Sequence, residues 1–507
     1  MLISLALSLL PTTLYACTQL PAGSTMWVRL TQSVNSNDAK PGMLVHGFLL
    51  ESPECDGRAA LPIHIPVDGR VVSGHRVGLG FVHETASLQI EFNRILPEQS
   101  PALEISGQVI NVNNAREAVK NGVMLGTRSS ETPQGEISSR LKYLPSLHLY
   151  PDPFLLGFKL LFPVFPEPEI YLPPGTDLHV VLKKDVALPE ELLPPPSVPR
   201  ISNDDLLSVA DSLDHLPART FDRKGHEADL INMAFVGSRE EVVTAFLVAG
   251  WKQSDPVSRH SVMHQFHAFL EKTSYKTAPM SRQVFDGRLP DLTFEKTFNS
   301  YGRRDHLRIW QVQRANGSLT LWVGAAVRET GATLSVMHLG FMHHVSADLD
   351  EEQHAIERDL LGVDTIESVG SIERPDEPKA MLNATGEVLR TGGDVRLVRL
   401  RHDLDPNLVS VAQDAPFKPG SKFSRYVRKE ILTVRSDLLR ANCFYAVYRV
   451  GAAGTRALRA KWAKDSEIKS MGLHAPASSQ SQTAVKKQPD DKPQPHVNPE
   501  FFGAGFW

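Results

Sequence analysis

Cysteine is scarce in this chain: three residues in 507, too few to hold a loop-rich fold together by disulfides. Charge of one sign is also lacking. Lysine and arginine number 54 against 58 acids, a net charge of −4, which gives no footprint for general nucleic-acid binding. Long apolar runs are missing beyond Ala16, so the mature chain is expected to hold no transmembrane helix. Short catalytic signatures are missing too. There is no Gly-x-Ser-x-Gly elbow, Walker loop, His-Glu-x-x-His helix or dinucleotide fingerprint, and no cofactor is expected. What is present is a 41% hydrophobic chain, long enough for two or three domains with their own cores.

The amino terminus carries the clearest statement about location. Met1 to Leu10 is apolar, and Leu14-Tyr15-Ala16 precedes Cys17. This reads as a secretory signal, with a core too short to span a bilayer and a small residue at the cleavage position. It departs from the usual pattern in having no Lys or Arg before the apolar run. The mature chain is then expected to start at or near Cys17 and to sit in the periplasm or cell envelope. Cys17 has two mutually exclusive readings. Cys17 and Cys55 each lie shortly before a Leu-Pro strand opening, so the two are a disulfide candidate in an oxidising compartment. Alternatively Leu14-Tyr15-Ala16-Cys17 is a lipobox and Cys17 is a lipid anchor. Cys443 reads as a buried small residue.

A degenerate repeat follows. Leu20-Pro21-Ala22-Gly23, Leu61-Pro62 and Leu172-Pro173-Pro174-Gly175 each feed an apolar strand, and further strands are expected near Leu44–Leu50, Ala86–Phe92 and Leu103–Val112. Proline/glycine turns feeding short strands predict an all-β barrel or sandwich, weakly similar to envelope β-modules. Prolines between Leu188 and Pro199 predict a stiff linker. Phe423 to Leu439 predicts an amphipathic basic helix, Arg456 to Lys464 adds positive charge, and the Ser/Gln/Lys/Pro-rich stretch from Glu467 predicts a disordered tail.

Ile231 to Leu361 reads as one compact unit. Ile231–Gly237 predicts a buried strand, and Ser238 with Glu241 forms a capping box before Val242, Ala245, Phe246 and Ala249. Val262, Phe266, Phe269 and Leu270 predict a second helix. Alternation at Leu307–Gln311 and Leu321–Val327 predicts strands, and Asp350–Leu361 a closing helix. The expectation is an α+β multidomain protein in which helices pack on a mostly antiparallel sheet in this second unit.

Several short motifs in this unit carry a resemblance. Phe235-Val236-Gly237-Ser238-Arg239-Glu240-Glu241, Ala249-Gly250-Trp251, Thr277-Ala278-Pro279-Met280-Ser281, Phe285-Asp286-Gly287-Arg288 and Asp305-His306-Leu307-Arg308-Ile309-Trp310 occur in order. Together they resemble the LssY carboxy-terminal domain over about residues 220–365. That family's domain often follows membrane segments of phosphatidic-acid-phosphatase type, which this sequence lacks, so the resemblance implies a domain and not that activity. The layout drawn from all of this is a signal peptide 1–16, β domain 17–185, Pro-rich linker 186–216, LssY-like domain 217–365, extension 366–466 and tail 467–507.

Arg288, Lys296, Arg303, Arg304, His306 and Arg308 crowd a short span beside Trp310. Arginine forks next to an aromatic suit a phosphate or sugar-phosphate, which makes Arg288, Arg304, His306, Arg308 and Trp310 an anion-binding candidate. The competing reading is a polar sheet face whose arginines pair with Asp291, Glu295 or Asp305. His343-His344 with Asp348 and Asp350 has suitable ligand types but no metal-site spacing; the carboxylates read as the cap and first turn of the closing helix, and no metal is expected. Two functions follow. One is an exported, non-enzymatic envelope protein that binds lipid, glycan or protein. The other is a hydrolase or binder of a phosphorylated lipid or sugar, with the arginines on phosphate and His306 as acid or base.

Overall fold

The computed structural model describes residues 18–128, 168–189, 198–404 and 420–471, apart from short stretches within these ranges. The first unit is a closed β-barrel of six strands: β1 (Thr25–Leu30), β2 (Leu44–Glu51), β3 (Pro66–His75), β4 (Ser87–Ile95), β5 (Leu103–Val112) and β6 (Asp177–Leu182). The ring runs β4-β3-β2-β1-β6-β5 and closes by pairing β5 with β4, every pair antiparallel. Closure removes the exposed edges that an open sheet of this size would present. Alternate residues point inward, and Val28, Leu49, Val67, Ile90, Phe92 and Val180 fill the core at 0–1% exposure.

The Pro/Gly repeat has a local cause. Gly23 and Gly175 adopt φ of 94° and 87°, the left-handed region that glycine enters without cost. Their amides donate to Leu182 O and Leu30 O at 2.8 Å. Each turn thus clips the strand it feeds onto the end of its partner, β1 onto β6 and β6 onto β1.

The second unit is one sheet covered on both faces. Its strands are β7 (Met233–Val236), β8 (Lys252–Gln253), β9 (Leu292–Thr297), β10 (Arg304–Val312), β11 (Leu321–Ser335), β12 (Gly340–Val345), β13 (Ile366–Glu373) and β14 (Asp394–Leu400). The order is β8-β9-β10-β11-β7-β14-β13, with β12 also on β11. Only β7 and β14 run parallel. Helices α2 (Arg239–Val248) and α3 (Leu349–Leu361) supply Val242, Phe246, Ile356 and Leu360 to one face; α1 (Asn203–Asp214) supplies Val209 and Leu213 to the other. The expected capping box is present in α2: Ser238 Oγ accepts from Glu241 N, and Glu241 Oε2 from Ser238 N. Asp348 caps α3 by accepting from the Asp350 and Glu351 amides.

The α+β architecture, the barrel and the mostly antiparallel sheet agree with expectation, but the drawn boundaries need correction. Residue 365 is not an edge of the domain. β13 and β14 lie beyond it, and β14 sits inside the sheet between β7 and β13. Nor are residues 203–214 linker, since α1 packs on this sheet. The predicted helix around Val262–Leu270 falls mostly outside the described residues, as does the tail beyond residue 471. Helix α4 (Cys443–Ser470) runs three residues past the expected start of that tail at Glu467. Among the described residues no helix is long and apolar enough to cross a membrane.

Candidate functional site

Strands β9, β10 and β11 carry the charged segment, and strand alternation divides it between two faces. Glu295, Arg304, His306, Arg308, Trp310 and Glu329 point to the α1 side. Lys296, Asp305 and Arg328 point to the α2/α3 side, towards the barrel. Glu295 lies opposite His306 in the β9–β10 register, and Arg304 opposite Glu329 in β10–β11.

On the α1 side the cations meet carboxylates of their own domain. Arg304 donates from Nε and Nη2 to Glu329 Oε2 at 3.1 and 2.8 Å, and from Nη1 to Glu295 Oε2 at 3.3 Å. His306 sits between the same two acids, Nδ1 3.2 Å from Glu329 and Nε2 3.6 Å from Glu295. Arg308 donates to Asp229 Oδ2 at 2.9 Å and to Ser281 through its backbone and hydroxyl oxygens. Gln283 bridges Asp229 and the Thr220 hydroxyl. Burial pushes the Glu295 carboxyl up to about 8, against the pull of the Arg304 guanidinium and the Ala278 amide. The cluster therefore holds a protonated carboxylic acid beside an imidazole at neutral pH. It is closed to solvent: Glu295, Arg304, His306 and Arg308 are 0–3% exposed.

Arg288 and Trp310 meet at a separate point. Asp286 and Gly287 have φ of 46° and 71°, and Phe285 and Arg288 exchange both backbone hydrogen bonds. This is the two-residue hairpin that Asp-Gly favours, with both central residues left-handed. It places Arg288 O to accept from Trp310 Nε1 at 3.1 Å. The Arg288 side chain turns outward, 46% exposed, donating to Gln311 O at 2.8 Å and lying 4.0 Å from Asp291. Four of the five expected anion residues thus share one buried strand face, and Arg288 reaches the surface beside it. Arg308 does not pair with Asp291 or Asp305, as its structural reading expected, but with Asp229. A cleft of about 330 Å³ lined by Pro217, Ala218, Arg219, Phe221, Glu227 and Pro378 includes none of the five.

On the opposite face the charges are matched across the two units. Arg29 of β1 donates from Nε to Asp177 Oδ1 of β6 at 2.7 Å and from Nη2 to Asp359 Oδ1 of α3 at 3.1 Å. Lys296 Nζ donates to the same two acids at 3.2 and 2.6 Å, and Trp251 Nε1 donates to Asp359 Oδ2 at 3.0 Å. Burial raises the Asp177 carboxyl, but the Arg29 and Lys296 charges outweigh it and hold it well below the usual carboxylate range. Arg358 donates to Glu51 at 2.7 Å and lies 4.2 Å over the Trp27 ring, which stacks on His179 at 4.5 Å. At the far end Asn114 reaches Asp305 at 3.1 Å, beside the Arg328–Asp305 pair at 2.8 Å. Gly362, the C-cap of α3, lies so near the barrel that a Cβ would collide with Leu50. Arg29, Asp177, Asp359, Arg358 and the Trp27 stack were not anticipated as a group, because their partners sit in different domains and only the fold brings them together.

Of the remaining expectations, His344 Nδ1 contacts Glu387 at 2.9 Å; Asp348 caps helix α3, and Asp350 accepts from the Thr391 hydroxyl and the Gly392 amide. Among the described residues no cluster of His, Cys, Asp and Glu is arranged for a metal. Cys55 is disulfide-bonded; Cys17 lies outside the described residues.

Residues 213–395 match the family described as LssY C-terminus. The match spans most of the sheet and both of its charged faces, and none of the barrel. No curated protein matches the chain.

Proposed function

We propose that this chain is an exported cell-envelope protein that binds lipid, glycan or protein without transforming it, and that its barrel and LssY C-terminal domain act as one joined unit. The observation that carries the non-enzymatic reading is the enclosure of the charged segment. Arg304, His306 and Arg308 are at most 3% exposed and face protein carboxylates. The ion network between barrel and sheet supports joint action. Two features support export: the apolar Leu2–Ala16 segment and the disulfide at Cys55, since such bonds persist in oxidising compartments. The periplasm fits both, with Cys17 either bridged or lipidated.

The test is a screen of the purified full chain against envelope lipids, glycans and phosphate esters, with mass spectrometry of the mature amino terminus. Binding without turnover, on a chain beginning at or near Cys17, is the expected result. Intact Met1 on cytosolic protein would remove the export reading.

One observation favours the second reading, a hydrolase or binder of a phosphorylated lipid or sugar. A carboxylic acid with a pKa of about 8 beside an imidazole is a suitable proton donor–acceptor pair, and Arg304 and Arg308 flank it on the same strand face. Ser281, which accepts from Arg308 on that face, would have to move to admit a substrate. Phosphate release that disappears in His306→Ala while the fold persists would establish this reading in place of the first.

A further inference from the structure

The carboxy-terminal helix α4 presents a surface that neither domain uses. Leu458 and Trp462 lie one turn apart and are 54% and 67% exposed. Residues at this spacing share a helix face, and large apolar side chains paired in this way have no reason to face water on their own account. The cations around them have no ion-pair partner among the described residues: Arg459, Lys461 and Lys464 are all exposed. Of the two acids beside them, Asp465 is exposed and Glu467 is engaged by Arg390 of the LssY C-terminal domain, which ties the end of the helix to the body of the protein.

We propose that α4 docks on an anionic lipid surface, with Trp462 and Leu458 entering the headgroup boundary and Arg459, Lys461 and Lys464 meeting the lipid charges. The chemistry on the helix selects this occupant. An amphipathic helix with tryptophan and leucine on one side and lysine and arginine beside them matches the interface of a negatively charged leaflet. Long basic side chains can lie along the apolar boundary while their charged ends reach phosphate. Helix α4 then lies flat on the surface rather than crossing it, in keeping with its many charges. The proposal deepens the envelope-binding reading by naming the lipid class and the helix, yet vesicle binding by the purified chain does not depend on where the cell places it, so either reading can fail alone.

The experiment is vesicle sedimentation of the full chain with phosphatidylcholine alone and with phosphatidylcholine containing phosphatidylglycerol. Binding is expected only to the mixed vesicles, falling as salt is raised because surface charge is screened over about 10 Å at 0.1 M salt. Trp462→Ala should weaken it about tenfold, and Lys461→Gln with Lys464→Gln should weaken it and flatten the salt dependence. All three side chains are exposed, so the thermal midpoint should stay where it is, and an unchanged midpoint certifies the comparison. Equal binding by wild type and both variants, or none by wild type to either vesicle, overturns the proposal. So does a wild-type dimer that Trp462→Ala converts to monomer with no vesicle binding, which would give the face to a second copy of the chain.

Discussion

The three strands β9, β10 and β11 hold two charged clusters back to back, and the two are neutralised in different ways. On the barrel side Lys296 and Arg29 share Asp177 and Asp359, so each domain supplies charges that the other needs. On the α1 side Arg304, His306 and Arg308 take Glu295, Glu329 and Asp229 from their own domain. The first arrangement makes domain association a condition for satisfying buried charge. The second leaves the sheet internally balanced whether or not the barrel is there. The protonation states differ to match. Asp177 is held charged by two cations, whereas Glu295, outweighed by burial, is held neutral.

Breaking the barrel-side network should have the largest effect. Asp359→Ala removes the one carboxylate that Arg29, Lys296 and Trp251 all share and leaves two buried cations facing Asp177 alone. Removing one partner of a buried ion pair costs about 3–5 kcal/mol, and urea unfolding should read a loss of that size. Because the cost falls at the junction, limited proteolysis should also separate barrel from sheet more readily than in wild type. A loss below ~1 kcal/mol would mean that water replaces the carboxylate and that the junction does not depend on charge.

On the other face Arg308→Ala should cost about 2–4 kcal/mol, because it takes the cation from the buried Asp229 carboxylate and leaves it Gln283 as its side-chain donor. Cleavage between the domains should stay at the wild-type level, since among the described residues the Arg308 side chain bonds to Asp229 and Ser281 and not to the barrel. Any ligand found by screening should bind with unchanged affinity. Lost binding with unchanged stability would instead return Arg308 to the anion-binding role that its sequence context suggests.

How much of this contrast was legible beforehand follows from the range of each interaction. Local features were readable because they are decided within a few residues: the Ser238–Glu241 box, the Asp348 cap and the strand alternation that puts Arg304, His306, Arg308 and Trp310 on one face. Three of the six barrel strands were readable from the Pro/Gly turns that feed them, and the other three were expected beside them. Partners were not. Arg308 was expected to meet Asp291 or Asp305, neighbours in sequence, and meets Asp229, 79 residues away. Arg29 meets Asp359 across 330 residues, and no spacing rule reaches that far. The boundary at residue 365 failed for a related reason. The pattern of β14 is plain in Asp394–Leu400, but its place beside β7 is set by a parallel pairing that the local pattern does not reveal.

The pH dependence of stability sharpens the comparison further, because Asp177 and Glu295 should respond with opposite sign. Asp177 titrates below its ordinary value in the folded chain. Its contribution is complete above about pH 4, the range of an unperturbed aspartate, and drains as pH falls below that. Glu295 titrates above its ordinary value. The folded chain keeps a proton that the unfolded chain releases near pH ~4.3, so stability declines as pH rises from there through about 8. Glu295→Gln should remove its share of that decline, leaving the share of the buried Glu352, also raised by burial, and the acid limb intact. Stability measured in urea from acid to mildly basic pH would read both limbs. A wild-type curve that rises between neutral pH and the Glu295 value would reverse the sign and place a charged carboxylate in the cluster.

The smallest effect is expected at Arg288, the one member of the charged segment that stands at the surface. Its side chain is 46% exposed and its ion pair with Asp291 is stretched to 4.0 Å, a geometry in which solvent screens most of the attraction. The turn that carries it is set by Asp286 and Gly287, whose backbone needs no help from the guanidinium, and the bond to Trp310 uses the Arg288 carbonyl, which any residue supplies. Arg288→Ala should therefore change stability by no more than about 0.5 kcal/mol, as surface substitutions usually do. Arg288→Ala and Arg308→Ala remove the same group from the same domain, so the ratio of their costs measures burial rather than charge. If Arg288→Ala costs as much as Arg308→Ala, the hydrogen bond from Nη2 to Gln311 O is holding the hairpin against β10, and the surface arginine belongs with the buried ones after all.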